Sequence, residues 1–505
     1  MKKRIIIGAC DLGASGGKFF AGIFEEGRFQ MEEIHRFEHG PVTVFVKEPY
    51  RVMGRMYWDD LYLYTNIIEA LKKYRRDFSD HLDSLGIDTW GSDGQFFTKD
   101  GDTLDRIYCY RDHRLDAMVD EFTSLVDPWE VYQKTGIHFW PFNISNQIYW
   151  FRKYRPELFQ KAAFFLSVPG IFYYYLCGAK ITEYTWASVT QLLNAETKQW
   201  YEEIFRAIDV PSSIMAPVVQ PSTYVGKLFP EITHQLNLNE VKMIAVPTHD
   251  TACAFASAPV EKEEEALIIS SGTWSLIGKL ILEPLITRES MEENFSNEGG
   301  VGNIRFLRNC MGTWPIQELR RIWKEKDGKE TSWEEITDLA EKGETFSYFI
   351  DPDDNSFYNP TDMESAIQEY CKKTGQSIPV SRAEILNTVY LSLALKYALT
   401  KECLEKICNC HIKKVHIVGG GAKNELLNQY TANAVGVPVE AGPFEATAVG
   451  NLMVQAMGLG VLSSLKEAIP IIRNAFPIKT YRPVEQNKWQ KVLEKFKKMI
   501  QNKRK

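Results

Sequence analysis

Four short runs carry residue types that could do chemistry. The first is Pro247-Thr248-His249-Asp250-Thr251-Ala252. It follows the apolar stretch 243–246 and precedes small residues that open a helix. A carboxylate presented at the carboxyl end of a strand, beside His and Thr, suits a base that accepts a hydroxyl proton. The same Asp250 would also cap a helix N-terminus, and one side chain can do both jobs. The second run is Asp11-Leu12-Gly13-Ala14-Ser15-Gly16-Gly17-Lys18. Here a carboxylate leaves a buried strand and a small-residue turn follows. Such turns let backbone N–H groups approach phosphate oxygens closely. Lys18 adds positive charge, and the Asp11 carboxylate can hold Mg²⁺ directly or through water. The same residues also read as a plain glycine-rich hairpin. They are not a Walker A loop, because Leu12 stands in place of its first Gly and Phe19 follows the Lys.

The third run, Gly419-Gly420-Gly421-Ala422-Lys423-Asn424, lies between a strand pattern and a helix pattern. Consecutive glycines permit flat approach of an adenine or ribose face, or simply a sharp turn. The fourth is Gly86-Ile87-Asp88-Thr89-Trp90-Gly91-Ser92-Asp93-Gly94, followed by Tyr110-Arg111-Asp112. Trp, Asp and Arg at strand ends are sugar-facing groups in kind, though Trp90 reads equally as core and Arg111-Asp112 as a local ion pair. Asp351-Pro352-Asp353-Asp354-Asn355 is similar to a calcium loop. Ser356 stands where that loop needs Gly and Asp362 where it needs Glu, so the run reads as a solvated loop. The group Cys403, Cys408, Cys410 and His411 matches no common zinc spacing and reads as core packing.

These runs need elements to position them. Residues 5–10 form an apolar β-type stretch, with return strands at 18–24 and 29–37, a meander at the start of the chain. Helical spacing follows over 58–74 and a strand over 85–90. The acidic run 261–265 reads as a solvated connector. After it the opening pattern recurs, with a strand over 266–271, a small-residue turn at 272–273 and a return strand over 274–282. The second half then carries a long helix over 381–408, a strand over 414–418, a helix over 424–435, a strand over 438–440 and a helix over 446–457. From Trp489 the tail is an amphipathic helix, expected to dock on its own domain. The recurrence predicts two similar α/β domains facing a cleft, with boundaries at 1–258 and 259–480 and a terminal helix at 481–505. Clefts between domains are where ligands bind.

The bulk composition fits this reading. The chain has 505 residues, enough for two large domains. Its hydrophobic content is 44% and its charged content 25%, ordinary for a globular protein. The formal charge of −7, from 59 basic and 66 acidic residues, argues against nucleic-acid or membrane-surface partners. No long apolar stretch or secretory segment is apparent. Nine scattered cysteines fit reduced thiols, so the expectation is a cytoplasmic enzyme.

Taken in order, the motifs DLGAS at 11–15, GIDTWGSD at 86–93, YRDHR at 110–114, TGIHFWPFN at 135–143, HDTA at 249–252, SSGTW at 270–274, NEGG at 297–300, GGGAKNELLNQYTANA at 419–434 and AGPFEATAVGN at 441–451 resemble the FGGY carbohydrate kinases, most closely their rhamnulokinase branch. The resemblance spans nearly the whole chain. It implies two ribonuclease-H-like domains of the actin-like ATPase type around a central cleft, with ATP and Mg²⁺ as cofactors. It implies transfer of a phosphoryl group to a small ketose, L-rhamnulose or a related deoxy-ketose at O1, or another sugar such as L-fuculose. Asp250 would be the proton acceptor, with Gly91, His249, Thr251 and Asn297 at the sugar. Ala14, Ser15, Gly16, Gly17, Lys18, Thr273 and Gly420 would meet the nucleotide, and Asp11 would help place Mg²⁺. Lys18 stands where the rhamnulokinases carry Arg; it keeps the charge but not the bidentate fork. A small-molecule sugar is the expected partner, and a homodimer is left open. Two rivals of other classes are an actin-like ATPase switch that binds a protein partner, and a sugar sensor without catalysis. The switch has no need of the His249-Asp250-Thr251 group, and the sensor could discard either the base or the phosphate turns.

Overall fold

A computed structural model describes residues 4–47, 52–344, 346–358 and 360–503. The chain forms two compact units. The first comprises 1–257, 280–306 and 447–475, and the second 258–279, 307–446 and 476–505.

The first unit is built on a six-stranded sheet. Its first strand, β1 (Ile5–Gly13), is buried almost throughout, as its Ile-rich run requires. It pairs antiparallel with β2 (Gly16–Glu25), which pairs antiparallel with β3 (Arg28–Glu38). On its other side β1 pairs in parallel with β4 (Ser84–Thr89), every residue of which is buried. β4 in turn pairs in parallel with β5 (Lys242–Ala245). The antiparallel strand Thr223–Lys227 closes the sheet. The helix expected over 58–74 runs Asp60–Asp77, because the Asp59 carboxylate accepts the Tyr62 N–H and caps it. Trp58 instead ends the strand Val52–Trp58.

The second unit repeats this plan. Its central strand, β6 (Ala266–Ser271), pairs antiparallel with Trp274–Ile281 and in parallel with β7 (Lys414–Val418). β7 pairs in parallel with Val439–Ala441, which meets the antiparallel strand Lys479–Tyr481. Both sheets thus have a hairpin, two further parallel strands and an antiparallel closing strand. The recurrence read in the sequence is therefore a repeat of topology.

The long helix Arg382–Cys408 starts from a capping box made by Ser381 and Glu384. From Ile385 to Ala398 its residues are buried on every face, as a core helix must be, whereas Glu402 and Lys406 near its end are exposed. The terminal helix Gln486–Lys503 buries Trp489, Val492, Leu493, Phe496 and Ile500. Trp489 lies 5.2 Å from Tyr430 and 5.1 Å from Phe346, so it docks on its own unit.

Two local readings change. The 351–355 loop is not simply solvated. Lys396, 3% exposed, reaches Asp351 at 2.7 Å and Asp353 at 2.8 Å, and Asp353 also accepts the Met311 N–H at 2.7 Å. Cys403, Cys408 and Cys410 are half-buried rather than core. The Cys408 thiol donates to Cys410, whose pKa falls to about 7 as a result. Among the described residues no helix is long and apolar enough to cross a membrane.

Candidate active site

The carboxyl ends of β1, β4 and β5 lie side by side in the first sheet. This is the edge where open α/β sheets bind ligands. The register sets Asp11 beside Asp88 across the β1–β4 pair and opposite Lys18 across the β1–β2 hairpin. Asp88 is fully buried. One of its oxygens accepts the Asn451 side-chain N–H at 2.6 Å, and the other finds no donor among the described residues. Burial first, and then the Asp11 charge, push its pKa well above the usual carboxylate range, with a further push from Asp250. Beyond β5 the chain stays tied to β4, because the Thr89 N–H donates to the Thr248 carbonyl at 3.0 Å and Thr89 bridges His249.

Asp250 opens the short helix Asp250–Ala256, with His249 at the position before it. The Asp250 Oδ1 accepts the Thr251 N–H at 2.6 Å and the Thr251 hydroxyl at 3.1 Å. Its side chain is 30% exposed. Burial raises its pKa to about 6; the Thr251 bonds and the Arg305 charge oppose that rise, and Glu298 adds to it. A carboxylate with this pKa is ionised at neutral pH and is a stronger base than an ordinary aspartate. His249 is buried, and burial and then the Arg305 charge hold it well below the usual histidine range. Its Nδ1 lies 3.3 Å from Arg305 Nη2, and its Nε2 lies 3.6 Å from Asp250 Oδ1. Arg305 Nη2 in turn holds Glu298 at 2.9 Å.

The turn that presents these groups is anchored from below by Glu183. That carboxyl accepts the backbone N–H groups of Thr185 and Thr248, each at 2.9 Å, and both of their hydroxyls. Burial still raises it to about 7. Gly91 faces the imidazole. A Cβ there would lie 2.4 Å from His249 Nε2, so only glycine leaves the ring in place.

Trp90 is core rather than a sugar platform. It is 5% exposed and lies 4.2 Å from Trp58. The indole N–H groups of both tryptophans donate to Asp93 Oδ2, at 2.6 Å from Trp58 and 3.1 Å from Trp90. Gln147 donates to the other Asp93 oxygen at 3.0 Å. Asp112 takes Arg55 at 3.3 Å and Arg114 at 3.7 Å as ion partners. Asn297 is 3% exposed. Its carbonyl oxygen accepts the Leu285 N–H at 2.7 Å, and its amide donates to the Leu285 carbonyl at 3.1 Å.

In the β1–β2 hairpin, Ala14 and Ser15 are the two turn residues between Gly13 and Gly16. Gly17 is required by packing, since a Cβ would sit 2.2 Å from the Phe37 ring. In the second unit the corresponding turn holds Thr273, whose hydroxyl meets the Gln317 amide at 3.2 Å. The Gly312 N–H donates to the Thr273 carbonyl at 3.1 Å. Of the three consecutive glycines, Gly421 is locked against Ser271, where a Cβ would meet Oγ at 2.0 Å, while a Cβ on Gly420 would meet nothing within 4 Å.

Sequence reasoning gave no role to Arg305, Glu298, Glu183 or Gln317, and Asp88 entered only within the 86–94 run read as sugar-facing. Arg305 left one signal, a charge near the start of the buried strand Ile304–Met311, which carries a second charge at Arg308. For Mg²⁺, no cage of three His, Cys, Asp or Glu side chains exists among the described residues. Mg²⁺ in phosphoryl-transfer sites takes one or two carboxylates, with water and phosphate oxygens completing its shell. A strand-end Asp11 beside a buried, donor-poor Asp88 oxygen fits that demand.

Two family models match the chain. The N-terminal domain of the FGGY family of carbohydrate kinases covers residues 6–256, and its C-terminal domain covers 267–459. A rhamnulokinase of Bacteroides thetaiotaomicron is 39% identical over 493 residues, covering 97% of this chain and 99% of that protein. One from Bacillus subtilis is 39% identical over 480 residues, covering 95% and 96%. Among solved structures, a gluconate kinase from Lactobacillus acidophilus matches with a TM-score of 0.78 at 16% identity, covering 98% of each chain. Plasmodium falciparum glycerol kinase with ADP matches with a TM-score of 0.77, also at 16% identity and 98% of each chain. These structures share the fold.

Proposed function

From a chain that belongs to the FGGY family of carbohydrate kinases, we propose an enzyme that transfers the γ-phosphoryl group of ATP to O1 of L-rhamnulose or a closely related deoxy-ketose. The observation that carries the reading is Asp250, a partly open carboxylate raised to about 6 beside a neutral, buried His249. The named relatives, matched over nearly their whole length, support the choice of sugar.

In this reading Asp250 accepts the proton of the attacking hydroxyl. Gly91, His249, Thr251 and Asn297 form the sugar side. Gly91 contributes by leaving room for the imidazole, and Asn297 by bracing the 285 and 136 backbone segments around it. Ala14, Ser15, Gly16, Gly17 and Lys18 border the phosphates, and Thr273 and Gly420 contact the nucleotide. Asp11 would hold Mg²⁺, and Asp88 lies beside Asp11 across the β1–β4 pair. Bound there, the ion would neutralise phosphate charge as the transfer proceeds. The protein's own share is positioning and a prearranged electrostatic field.

The test is coupled ADP release with ATP and Mg²⁺ across L-rhamnulose, L-fuculose and L-ribulose. The highest kcat/KM is expected with L-rhamnulose. ADP release that no sugar stimulates would overturn the proposal, and a clear preference for another ketose would overturn its choice of substrate.

A further inference from the structure

Which ring nitrogen of His249 carries the proton is decided by its neighbour. A guanidinium has five N–H donors and no acceptor. The imidazole nitrogen that faces it must therefore present a lone pair. That nitrogen is Nδ1, 3.3 Å from Arg305 Nη2. Among the described residues, the carboxylate near Nδ1 is that of Glu298, at 3.7 Å, beyond hydrogen-bonding length and already held by Arg305 at 2.9 Å. Arg305 itself is fixed. It has no exposure, its Nε donates to the Gly299 carbonyl at 2.8 Å, and its guanidinium stands 5.7 Å from the Phe255 ring.

With Nδ1 an acceptor, a neutral His249 carries its proton on Nε2. Asp250 Oδ1 is 3.6 Å from Nε2, too far to receive it, and Nε2 makes no hydrogen bond among the described residues. Gly91 faces this edge of the ring, where a Cβ would lie 2.4 Å from Nε2. The site therefore sets a carboxylate base and a neutral N–H donor side by side, an arrangement that matches two oxygens on adjacent carbons.

Resting on the function proposed above, we infer that Arg305 is a positioning residue. It locks His249 as the Nε2–H tautomer, and that N–H donates to the substrate oxygen on the carbon next to the one phosphorylated. In a ketose phosphorylated at O1, this is O2. Both contacts run through Nη2, while Nη1 finds no hydrogen-bond partner among the described residues. The groups that face His249 are Arg305, Glu298 and Asp250, and Glu183 lies behind its backbone through Thr185 and Thr248.

The experiment uses the full chain in two measurements. In protein labelled with ¹⁵N-histidine, the His249 signal is assigned by its loss in His249→Gln. It should show a protonated Nε2 and an unprotonated Nδ1 at neutral pH. A proton on Nδ1 overturns the inference, whatever the sugar turns out to be. In the second, L-rhamnulose is compared with its analogue lacking O2, in the parent, in Arg305→Lys and in the charge-neutral pair Arg305→Met with Glu298→Gln. The pair leaves no unpartnered buried charge. With L-rhamnulose, kcat/KM should fall about 10–100-fold in the variants, by analogy with the loss of groups that orient metal-bound histidines. With the analogue, the variants should match the parent within about two-fold, because the lost bond has no acceptor there. Equal losses on both substrates, or none on either, overturn the inference. A parent inactive on every ketose overturns the proposed function instead, and the tautomer measurement still stands.

Discussion

Replacing Asp250 by Asn removes a charge while keeping the outline of the side chain. The amide oxygen can still accept the Thr251 N–H and hydroxyl, so the helix start should persist. Turnover should fall about 10²–10⁴-fold, the usual contribution of a positioned base. Stability should move the other way. Asp250 ordinarily titrates near 3.8, and in the fold at about 6. Between those values the folded protein binds a proton that the unfolded chain has released. The stabilisation from that proton is complete below pH ~4 and is lost as pH rises through about 6. Above that, the ionised group costs roughly 3 kcal/mol, at about 1.4 kcal/mol per pH unit. Its side chain is 30% exposed, and solvent screening reduces this to about 1–2 kcal/mol. Asp250→Asn should therefore unfold at a higher temperature than the parent at pH 8, with the gain roughly halved by pH 5 and shrinking toward zero below pH ~4. The parent's kcat/KM should rise with pH through about 6 and then level, and the residual activity of the variant should lack that limb. Thermal scans at pH 5 and 8, with pH–rate profiles from the ADP-release assay, measure both. Full turnover in the variant, or a loss of stability at pH 8, would refute the reasoning.

Gly91→Ala should drive a methyl group into His249, which Arg305 and Glu298 back on the other side. A cost of about 1–3 kcal/mol in stability is expected from overpacking, with a raised KM for the sugar and little change in KM for ATP. Thermal scanning and steady-state kinetics check this, and unchanged sugar KM would count against the placement. Lys396→Met should strand Asp351 and Asp353 without their shared cation, destabilising the second unit by about 3 kcal/mol. Chemical unfolding measures it, and an unaltered midpoint would show that solvent already satisfies the loop.

The strands and helices were legible because their signals are local. The Ile-rich run of β1, the strand over 414–418 and the helix over 381–408 sit close to where periodicity and capping residues predict them. The repeat of hairpin and parallel strands was legible for the same reason, since two similar apolar strands each meet a glycine-bearing turn. Trp90 was left open between core and sugar platform because an indole suits either. Trp58, distant in sequence, and Asp93 decide it by taking its ring face and its N–H. The 351–355 loop was misread because its counter-charge, Lys396, lies on a helix more than forty residues away.

By itself the sequence determined the order of elements, the two-fold repeat, the presence of a strand-end Asp250 and the identity of the glycines around it. Only the tertiary structure decided that Asp250 is raised to about 6, that His249 is neutral, and that Asp88 lies buried beside Asp11. The physical reason is range. Secondary structure follows from contacts a few residues apart, whereas proton affinity follows from burial and from charges such as Arg305, fifty-six positions from His249. No periodicity in the chain encodes which distant charge will face which ring.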